Sequence, residues 1–515
     1  MSIDYTSQYK TFSRWASEEE IKSSLYKIDL DDYEPPYGGI PLFTDSGAVY
    51  IEQDDSHSLV IGSTGSKKTR LVGMPALRLY ARAGESFIAT DPKAELYERT
   101  LPLLREQGYH VFVLNLRDPR QSNCWNPFII PYHQYNGDQR EQAIAGVTDM
   151  ANCMVKDDYN HDPYWQNSAA DMLSGLILTL FECAQENEIH LKSLRTLRTQ
   201  AFKNDEHTDK PFISQKFLKH LNPGSFVYSL LCGTAEVTDS TRSCIISVFD
   251  QALRPFFSQD KLIDMLSCND LDMSTIGKRK TAIFLIIPDE NTLYHRLVSV
   301  FVKQCYTALI LEAQKQAEKK LPRRVNFLLD EFSTLPPIND FPAMITASRS
   351  RNIRFNLIIQ SIKQLQNRYG IEAETIRGNC ENLVFLHSRE LPLLNDIISL
   401  AGNKNNEEPL VSVSMLQTLD KTKGEAFVMH KRLHPFIAKL LDIDGYFGVS
   451  PDKKPVHYPN NTRKAQVIFD FNIFCNEYDD DYYSLLFTGT KPLNPKKKKW
   501  INDDDIMEPI FTSRV

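Results

Sequence analysis

The chain has 515 residues, 42% hydrophobic and 24% charged, so it is long enough for two or three domains with buried cores, which excludes a disordered scaffold. Its 59 Lys and Arg and 66 Asp and Glu give a net charge of −7, which excludes a general basic field and leaves only local contacts with DNA. Nine scattered cysteines form no CxxC pair or His/Cys cluster, which favours free thiols in a reducing cytosol over disulfides or zinc.

The N-terminal segment, residues 1 to 50, is polar and includes an acidic stretch with prolines, so we predict an arm followed by loops. We predict no signal peptide in this segment. The longest apolar run, Met172 to Phe181, has ten residues, whereas a membrane-spanning helix needs about twenty. We therefore expect a cytoplasmic chain without a transmembrane segment.

A regular alternation begins after residue 50. Apolar runs at 58–62, 86–91 and 110–115 are separated by two segments of helical length. Strands that are apolar throughout and alternate with helices indicate βαβ units, in which a parallel sheet is covered on both faces. The sequence therefore predicts that residues 51–127 begin an α/β domain with a mostly parallel sheet.

The alternation is interrupted between residues 128 and 275, where stretches such as Trp165 to Cys183 have helical periodicity. We interpret this part as an inserted all-α domain. The α/β pattern returns over residues 276–450 and includes a long helix near 293–318. Its predicted strands are 281–288, 325–331, 354–360, 381–387 and 425–430. Beyond residue 450, blocks of like charge predict a C-terminal extension or tail at 451–515.

Residues 62 to 70, GSTGSKKTR, lie between a predicted strand and a predicted helix, which is the setting of a phosphate-binding loop. In such a loop, backbone N–H groups and the positive helix N-terminus hold the phosphates. Lys68 then reaches the β- and γ-phosphate oxygens, and the Thr69 hydroxyl holds Mg²⁺. The candidate nucleotide-binding residues are Gly62, Ser63, Thr64, Gly65, Ser66, Lys67, Lys68, Thr69 and Arg70.

An acidic pair supports this interpretation. The predicted strand VNFLL ends in Asp330 and Glu331. An aspartate at this point binds Mg²⁺ through water, and a glutamate polarises the water that attacks the γ-phosphate. An acidic turn after a buried strand is the alternative for the pair alone. The strand–loop–helix and the later strand ending in DE together favour an ATPase that uses ATP and Mg²⁺.

Several longer motifs carry a family resemblance. They run in one order from about residue 56 to residue 440: GSTGSKKT (62–69), TDPKAELYERT (90–100), WNPF (125–128), DPYWQNSA (162–169), LLDEFSTLP (328–336), SRSRNIRFNLIIQSIKQLQNRYG (348–370) and GEAFVMH (424–430). On these motifs the chain resembles the type IV secretion coupling proteins of the TraG/TraD kind. These are conjugation ATPases related to the FtsK-like and HerA-like DNA pumps.

The resemblance implies a RecA-like P-loop ATPase domain that carries an all-α domain and assembles as a hexamer at the inner face of the cell membrane. It implies three kinds of partner: the type IV secretion channel with its membrane subunits, a relaxase or other substrate protein, and DNA. By motif position, Gln360 joins Glu331 and Lys68 as a catalytic residue, a polar sensor between the ATP site and the pore. A satisfied amide at a strand end is the alternative for Gln360.

A ring ATPase also needs an arginine from a neighbouring subunit to neutralise charge on the γ-phosphate. Arg349, Arg351 and Arg242 are candidates for this arginine finger. The sequence does not choose between them, because surface arginines are common.

Other polar segments leave two interpretations open. Lys93 either approaches the nucleotide or the subunit interface or is solvated. The basic clusters at 277–280 and 319–324 are either pore or interface charges or solvated loops. The DPYWQNSA segment either stacks on a partner or packs inside the helical domain, and we favour packing.

The chain departs from the family pattern at three points. Lys67 replaces a glycine of the phosphate loop, Ala94 replaces the glycine of a DPKGEL-like segment, and no N-terminal transmembrane hairpin precedes the ATPase domain, so we expect recruitment to the membrane by other subunits. A non-glycine residue in a sparsely populated backbone conformation costs about 1 to 3 kcal/mol. The Lys67 side chain obstructs phosphate whereas its charge attracts phosphate, and the sequence does not give the sum of the two effects. Because Lys68, Thr69, Asp330 and Glu331 all remain, we expect nucleotide binding to survive in weakened form with slow hydrolysis.

Three functional hypotheses follow. The first is an ATP-driven coupling protein that delivers DNA with its attached relaxase to a type IV channel. The second is a P-loop adaptor with little or no catalysis that docks substrate proteins. The third is a soluble DNA-pumping ATPase unconnected with secretion. DNA-stimulated ATP hydrolysis separates the first from the second, and a channel partner separates the first from the third.

Overall fold

The computed structural model describes residues 12–32, 34–156, 163–204, 210–288, 293–446, 456–460 and 466–477. These residues form two compact units. The first comprises residues 1–123 and 271–460, and the second comprises residues 124–270 and 461–515. The predicted helical insertion at 128–275 therefore lies within a few residues of the internal bounds of the second unit.

All strands of the described residues lie in the first unit. They are β1 (Tyr26–Asp29), β2 (Pro41–Asp45), β3 (Ala48–Ile51), β4 (Ser58–Gly62), β5 (Ser86–Asp91), β6 (His110–Asn115), β7 (Thr281–Ile286), β8 (Val325–Leu329), β9 (Ile353–Ile359), β10 (Asn382–His387), β11 (Glu425–His430) and β12 (Phe436–Lys439). Every strand that the apolar runs predict is present.

The helices divide between the two units. The first unit contains α1 (Glu18–Ser24), α2 (Met74–Arg82) and α3 (Glu95–Glu106). The second unit contains α4 (Ile129–Tyr135), α5 (Arg140–Val155), α6 (Pro163–Cys183), α7 (Leu191–Ala201), α8 (Phe212–Lys216), α9 (Phe226–Ala235), α10 (Asp239–Phe257) and α11 (Asp260–Met265). The first unit continues with α12 (Leu293–Lys315), α13 (Phe341–Ser348), α14 (Ile362–Tyr369), α15 (Glu372–Gly378), α16 (Leu391–Ala401) and α17 (Val413–Gln417).

Nine strands form one large sheet in the order β12-β11-β10-β4-β9-β8-β5-β7-β6. All neighbours from β10 to β6 are parallel, whereas β11 and β12 add to the β10 side as antiparallel strands. The central strands are buried along their whole length, which explains their continuous apolar runs. The α/β fold class with a mostly parallel sheet and a helical unit is confirmed.

The N-terminal segment differs from the predicted arm and loops. Helix α1 begins with a capping box in which Ser17 and Glu20 satisfy each other's backbone N–H groups. Strands β1, β3 and β2 then form an antiparallel sheet, and Val49 and Ile51 of β3 are fully buried in the same core as the large sheet. The pattern was missed because these strands have only four or five residues each.

The helical unit is built around α6, whose residues from Met172 to Phe181 are buried. At Gly175 a Cβ atom would lie 2.7 Å from the Leu231 side chain, so the glycine permits the close packing of α9 on α6. Helices α5 and α10 pack against α6 as well.

Part of the predicted C-terminal tail is folded. The Phe469 N–H donates to Ser193 Oγ at 3.0 Å, and Phe471 is fully buried against Phe212 and Phe217. Two aromatic anchors thus hold residues 466–477 on the helical unit. The charge blocks of the predicted tail from residue 478 onward lie outside the described residues. None of the described helices is both long enough and apolar enough to span a membrane.

A buried ionic network lies at the edge of the large sheet where the parallel strands begin. Arg354 of β9 donates to Glu85 Oε2 and to Asn326 Oδ1, each at 2.8 Å. Asn326 donates to the same Glu85 oxygen at 2.8 Å, and Arg324 pairs with Asp55 at 2.9 Å. The basic cluster at 319–324 therefore contributes a side chain to the fold itself.

His57, just before β4, is a buried histidine that must stay neutral. Its Nδ1 accepts the Phe355 N–H at 3.0 Å, which leaves the proton on Nε2 to donate to Ile345 O at 2.7 Å. Burial lowers the pKa of His57 to about 4 from an ordinary value of 6.5. A charged ring would lose the bond from Phe355.

We expect this histidine to make the protein sensitive to acid. Because the folded pKa lies below the unfolded one, its contribution is complete above pH 6.5 and is lost as the pH falls towards 4. The free energy of unfolding, measured in urea, should drop by about 2 kcal/mol between pH 7 and pH 5 from this group. His57→Gln should remove that step, whereas His457→Gln, at an exposed histidine, should retain it. A pH profile that is the same for wild type and His57→Gln would contradict the assignment.

Candidate functional site

The loop from Gly62 to Lys68 connects β4 to a π-helical turn, Thr69–Gly73, that runs directly into α2. A Cβ atom at Gly62 would overlap Ser66 Oγ, so the close approach requires glycine there. Gly65 and Lys67 both have left-handed backbone, with φ of 79° and 65°. The chain therefore keeps the curved loop although a lysine occupies a glycine conformation.

Lys68 lies inside this loop. Its side chain is buried, and Nζ donates to Gly62 O at 2.6 Å. Ser66 Oγ is also buried and has no hydrogen-bond partner among the residues that the structure describes. An ammonium group and an unpaired hydroxyl at the first turn of a helix suit an anion, because both supply donors to it.

Asp330 follows β8 at the same edge of the sheet. Its Oδ2 lies 3.4 Å from Thr69 Oγ1, and its carbonyl accepts from Thr90 Oγ1 at 2.8 Å. Burial, reinforced by the neighbouring Glu331 charge, raises the pKa of Asp330 to about 6. A hydroxyl and a buried carboxylate are oxygen ligands that suit Mg²⁺, so the two residues proposed for the metal lie together.

Glu331, Gln360 and Thr64 form a chain of hydrogen bonds. The Gln360 amide nitrogen donates to both Glu331 carboxylate oxygens at 2.8 Å, and Thr64 Oγ1 donates to Gln360 Oε1 at 3.1 Å. Gln360 is thus a satisfied amide whose partners are both site residues. Glu331 has φ of 56°, a strained conformation that concentrates at functional sites. The amide connects the carboxylate on β8 to the phosphate loop on β4.

Two acidic residues that the sequence analysis did not select contact the loop. Arg70 donates to both Asp442 oxygens and to Asp444, and Lys67 Nζ lies 3.4 Å from Asp442 Oδ2. Burial acts to raise the pKa of Asp442, but the hydrogen bonds from Arg70 and Lys67 outweigh it and lower that pKa. The Lys67 charge therefore faces a carboxylate of its own chain.

Further polar groups surround the loop. His387, at the end of β10, places Nδ1 2.9 Å from Ser63 Oγ, and Lys421 donates to Gly65 O at 3.2 Å. Asp91 ends β5 and accepts the Tyr97 N–H at 2.8 Å. Burial raises the pKa of Asp91 to about 7. His387 and Asp91 could have been selected from the sequence, because each is the last residue of a predicted strand at this edge of the sheet.

Two of the arginine-finger candidates lie away from the phosphate loop. Arg349 and Arg351 precede β9, at the edge opposite the phosphate loop, and Arg349 pairs with Glu381 at 2.8 Å. Arg349 also lines a cleft of about 630 Å³. Arg242, on α10 of the helical unit, is buried and donates to Asp239 and to the Ala235 carbonyl. Its guanidinium is therefore bonded to groups of α9 and α10 within its own unit.

The structure also describes the other polar segments for which the sequence left two interpretations open. Lys93 is exposed in the turn after β5, and Lys278 pairs with the buried Glu312 at 2.9 Å. Tyr164 of the DPYWQNSA segment is 51% exposed and forms an edge contact with Trp165, with ring centroids 5.0 Å apart. The preference for internal packing is therefore wrong for Tyr164. Asp162 of that segment lies outside the described residues.

The family model for type IV secretory system conjugative DNA transfer matches residues 12–408. The chain belongs to this family. It is 21% identical over 378 residues to the type IV secretion system-coupling protein VirD4 of Bartonella quintana (strain Toulouse), covering 72% of this chain and 56% of VirD4. It is 23% identical over 377 residues to the protein VirD4 of Agrobacterium fabrum, covering 69% of this chain and 51% of that relative. The chain thus spans about half the length of these curated relatives.

Solved structures of the plasmid coupling protein TrwB share the fold. The complex of TrwB with the non-hydrolysable ATP analogue ADPNP has a TM-score of 0.61 and 18% identity, and the match covers 88% of this chain and 98% of TrwB. The complex of TrwB with ADP and Mg²⁺ has a TM-score of 0.59 and 18% identity, with 86% and 96% covered. The predicted combination of a RecA-like domain and a helical domain agrees with this shared fold.

Proposed function

We propose that this chain is an ATP-driven coupling protein that delivers DNA with its attached relaxase, or another protein substrate, to a type IV secretion channel. One observation carries the ATPase part. Lys68, Thr69, Asp330, Glu331 and Gln360 come from three separate strand ends and lie within hydrogen-bonding reach of one another or of the loop. Membership of the conjugative DNA transfer family supports the delivery role.

The residues present fit a magnesium nucleotide. Thr69 and Asp330 would hold Mg²⁺, the loop from Gly62 to Thr69 would hold the phosphates, and Arg70 borders it. Bound Mg²⁺ supplies positive charge that neutralises the phosphate oxygens. The structures of TrwB with ADPNP and with ADP and Mg²⁺ support the choice of ATP and Mg²⁺.

The chain's own groups then have distinct tasks. Lys68 exchanges the Gly62 carbonyl for phosphate oxygen, which satisfies the same ammonium donors with a charged acceptor. Glu331 takes a proton from the attacking water, and Gln360 orients the carboxylate by donating to both of its oxygens. Because Thr64 bonds to Gln360, movement of the phosphate loop changes the position of the base.

The assembly and location are also part of the proposal. We expect a homo-hexamer that is recruited to the inner face of the cell membrane by the channel's membrane subunits. An arginine finger acts from a neighbouring subunit and must lie away from its own chain's site. The positions of Arg349 and Arg351 at the opposite sheet edge meet that requirement. Arg242 is the weaker candidate for a different reason, because its guanidinium is buried and bonded to Asp239 and to the Ala235 carbonyl.

The proposal is tested by the rate of ATP hydrolysis with and without single- and double-stranded DNA. We expect DNA to raise the rate in the wild-type protein. Lys68→Ala should lower nucleotide affinity by about tenfold to a hundredfold, because a hydrogen bond to a charged group is worth about 1.5 to 3 kcal/mol. Lys315→Ala, at an exposed lysine of α12, should retain wild-type affinity and rate. Binding without any turnover, with or without DNA, would contradict the ATPase.

The adaptor hypothesis is favoured by one feature, the left-handed Lys67 in the phosphate loop. It predicts tight binding of a substrate protein to the helical unit without DNA-stimulated hydrolysis. A pull-down with relaxase, performed with and without ATP, separates the two functions. Retention of relaxase by a protein that shows no hydrolysis would select the adaptor.

A further inference from the structure

One acidic segment contacts two cations, Lys67 in the phosphate loop and Arg70 just after it. Arg70 makes a two-pronged contact with Asp442, with Nε 3.1 Å from Oδ2, and Lys67 Nζ lies 3.4 Å from the same oxygen. Asp444 accepts a further hydrogen bond from Arg70. Two positive and two negative side chains thus meet at the start of the helix that follows the loop.

The segment that carries Asp442 is anchored. It follows β12 and enters a short 3₁₀ turn, Ile443–Gly445, in which the Gly445 N–H donates to Asp442 O at 2.8 Å. Ile443 and Tyr446 are buried in the core of the first unit, and Arg78 donates to Tyr446 O at 3.2 Å. Because both flanks are fixed, the Asp442 carboxylate is held beside the loop.

Two anions could pair with the Lys67 ammonium group: the Asp442 carboxylate and a phosphate bound to the loop. The Lys67 side chain is 34% exposed, so Nζ retains room to turn, and a phosphate on the loop would offer an acceptor in competition with Asp442. As the structure stands, Nζ faces the carboxylate. Lys67 thus keeps an unfavourable left-handed backbone, while its charge is paired with Asp442 and does not attract phosphate.

We propose that Asp442 is a positioning residue that holds the Lys67 ammonium away from the phosphate site and thereby sets the nucleotide affinity of this loop. The inference rests on the proposed nucleotide-binding function. It adds a residue, distant in sequence from the loop, that decides whether the substituted lysine assists phosphate binding. Lys67 acts on phosphate only when Asp442 releases it.

The test is a double-mutant cycle for binding of an ATP analogue with Mg²⁺, measured by isothermal titration. Asp442→Asn should tighten binding about tenfold, because Lys67 is released towards phosphate. Asp444→Asn is the matched control, since it removes the same charge from Arg70 without contacting Lys67, and its gain should be smaller. In the Lys67→Gln background, Asp442→Asn should give no more than the control.

Equal gains from Asp442→Asn and Asp444→Asn, or additive effects in the cycle, would overturn the inference. If Asp442→Asn does not fold, Lys67→Gln in the otherwise wild-type chain is decisive. A loss of about threefold or less supports the inference, and a loss above about tenfold overturns it, because Lys67 would already contact phosphate. Failure of wild type to bind the analogue at all refutes the proposed function instead, so the two failures are distinct.

Discussion

Glu331→Gln is expected to reduce ATP turnover by about a hundredfold or more while nucleotide binding is retained. General-base catalysis contributes about a hundredfold to ten-thousandfold, and glutamine cannot take up the proton of the attacking water. In the wild-type protein the Gln360 amide donates to both carboxylate oxygens of Glu331. The substitution keeps the size of the side chain and one oxygen that accepts a hydrogen bond from Gln360. The side chains of Lys68, Thr69 and Asp330, which are proposed to bind the nucleotide and Mg²⁺, are not replaced. Phosphate release gives the rate, and titration with an ATP analogue gives the affinity.

Glu372→Gln provides the control, because Glu372 is an exposed glutamate at the start of α15. Its turnover should equal that of wild type. A Glu331→Gln variant that keeps more than about a tenth of the wild-type rate would remove Glu331 from the role of base. Loss of nucleotide affinity along with turnover would instead assign Glu331 to binding.

Arg354→Ala is expected to lower the free energy of unfolding by about 3 to 5 kcal/mol, since it leaves a buried carboxylate without its closest counter-charge. Arg354 and Glu85 are almost fully buried and 2.8 Å apart. The same guanidinium donates to Asn326 and to the Gly38 and Glu52 carbonyls, which also lose a donor. Urea unfolding of the wild type and the variant measures the change.

Lys404→Ala is the matched surface case, because Lys404 and Glu408 form an ion pair at 2.8 Å in which both side chains are more than half exposed. Its cost should be below about 1 kcal/mol. Adding Glu85→Gln to Arg354→Ala should recover about 1 kcal/mol, because it removes a buried carboxylate that keeps only the more distant Arg324, at 3.4 Å, as a counter-charge. A loss from Arg354→Ala as small as that from Lys404→Ala would show that the buried network does not stabilise the fold.

The central strands were predictable because burial on both faces gives continuous apolar runs, as in β4, β8 and β9. The candidate site could be selected for a related reason. In a parallel sheet the loops that follow the strands meet at one edge, so Lys68 and Asp330, which follow two predicted strands, could be expected there. Gln360 was assigned by its motif position in the family resemblance, and the order of the three strands in the sheet came only from the structure.

The acidic partners of Lys67 could not be predicted in this way. Asp442 reaches the loop only because β12, a four-residue strand, pairs with β11 at the sheet edge and turns the chain back. The two strands form a hairpin, but a strand of four residues gives too short a periodic pattern to be predicted from the sequence. The burial of Phe469 and Phe471 could not be predicted either, because it depends on aromatic residues of the helical unit that are distant in the sequence.

The strand order also decides when this protein can fold. Strands β4 and β5, made early, are not neighbours of each other, because β9 and β8 lie between them. The pairing of Ser58 with Asn356 joins residues roughly 300 positions apart, and synthesis at about 5 to 20 residues per second delays it by about 15 to 60 seconds. During that interval the apolar segments of β4 and β5 are exposed, because the strands that pair with them have not yet been made. We therefore expect the nascent chain to depend on chaperones until the segment from β8 to β10 has left the ribosome.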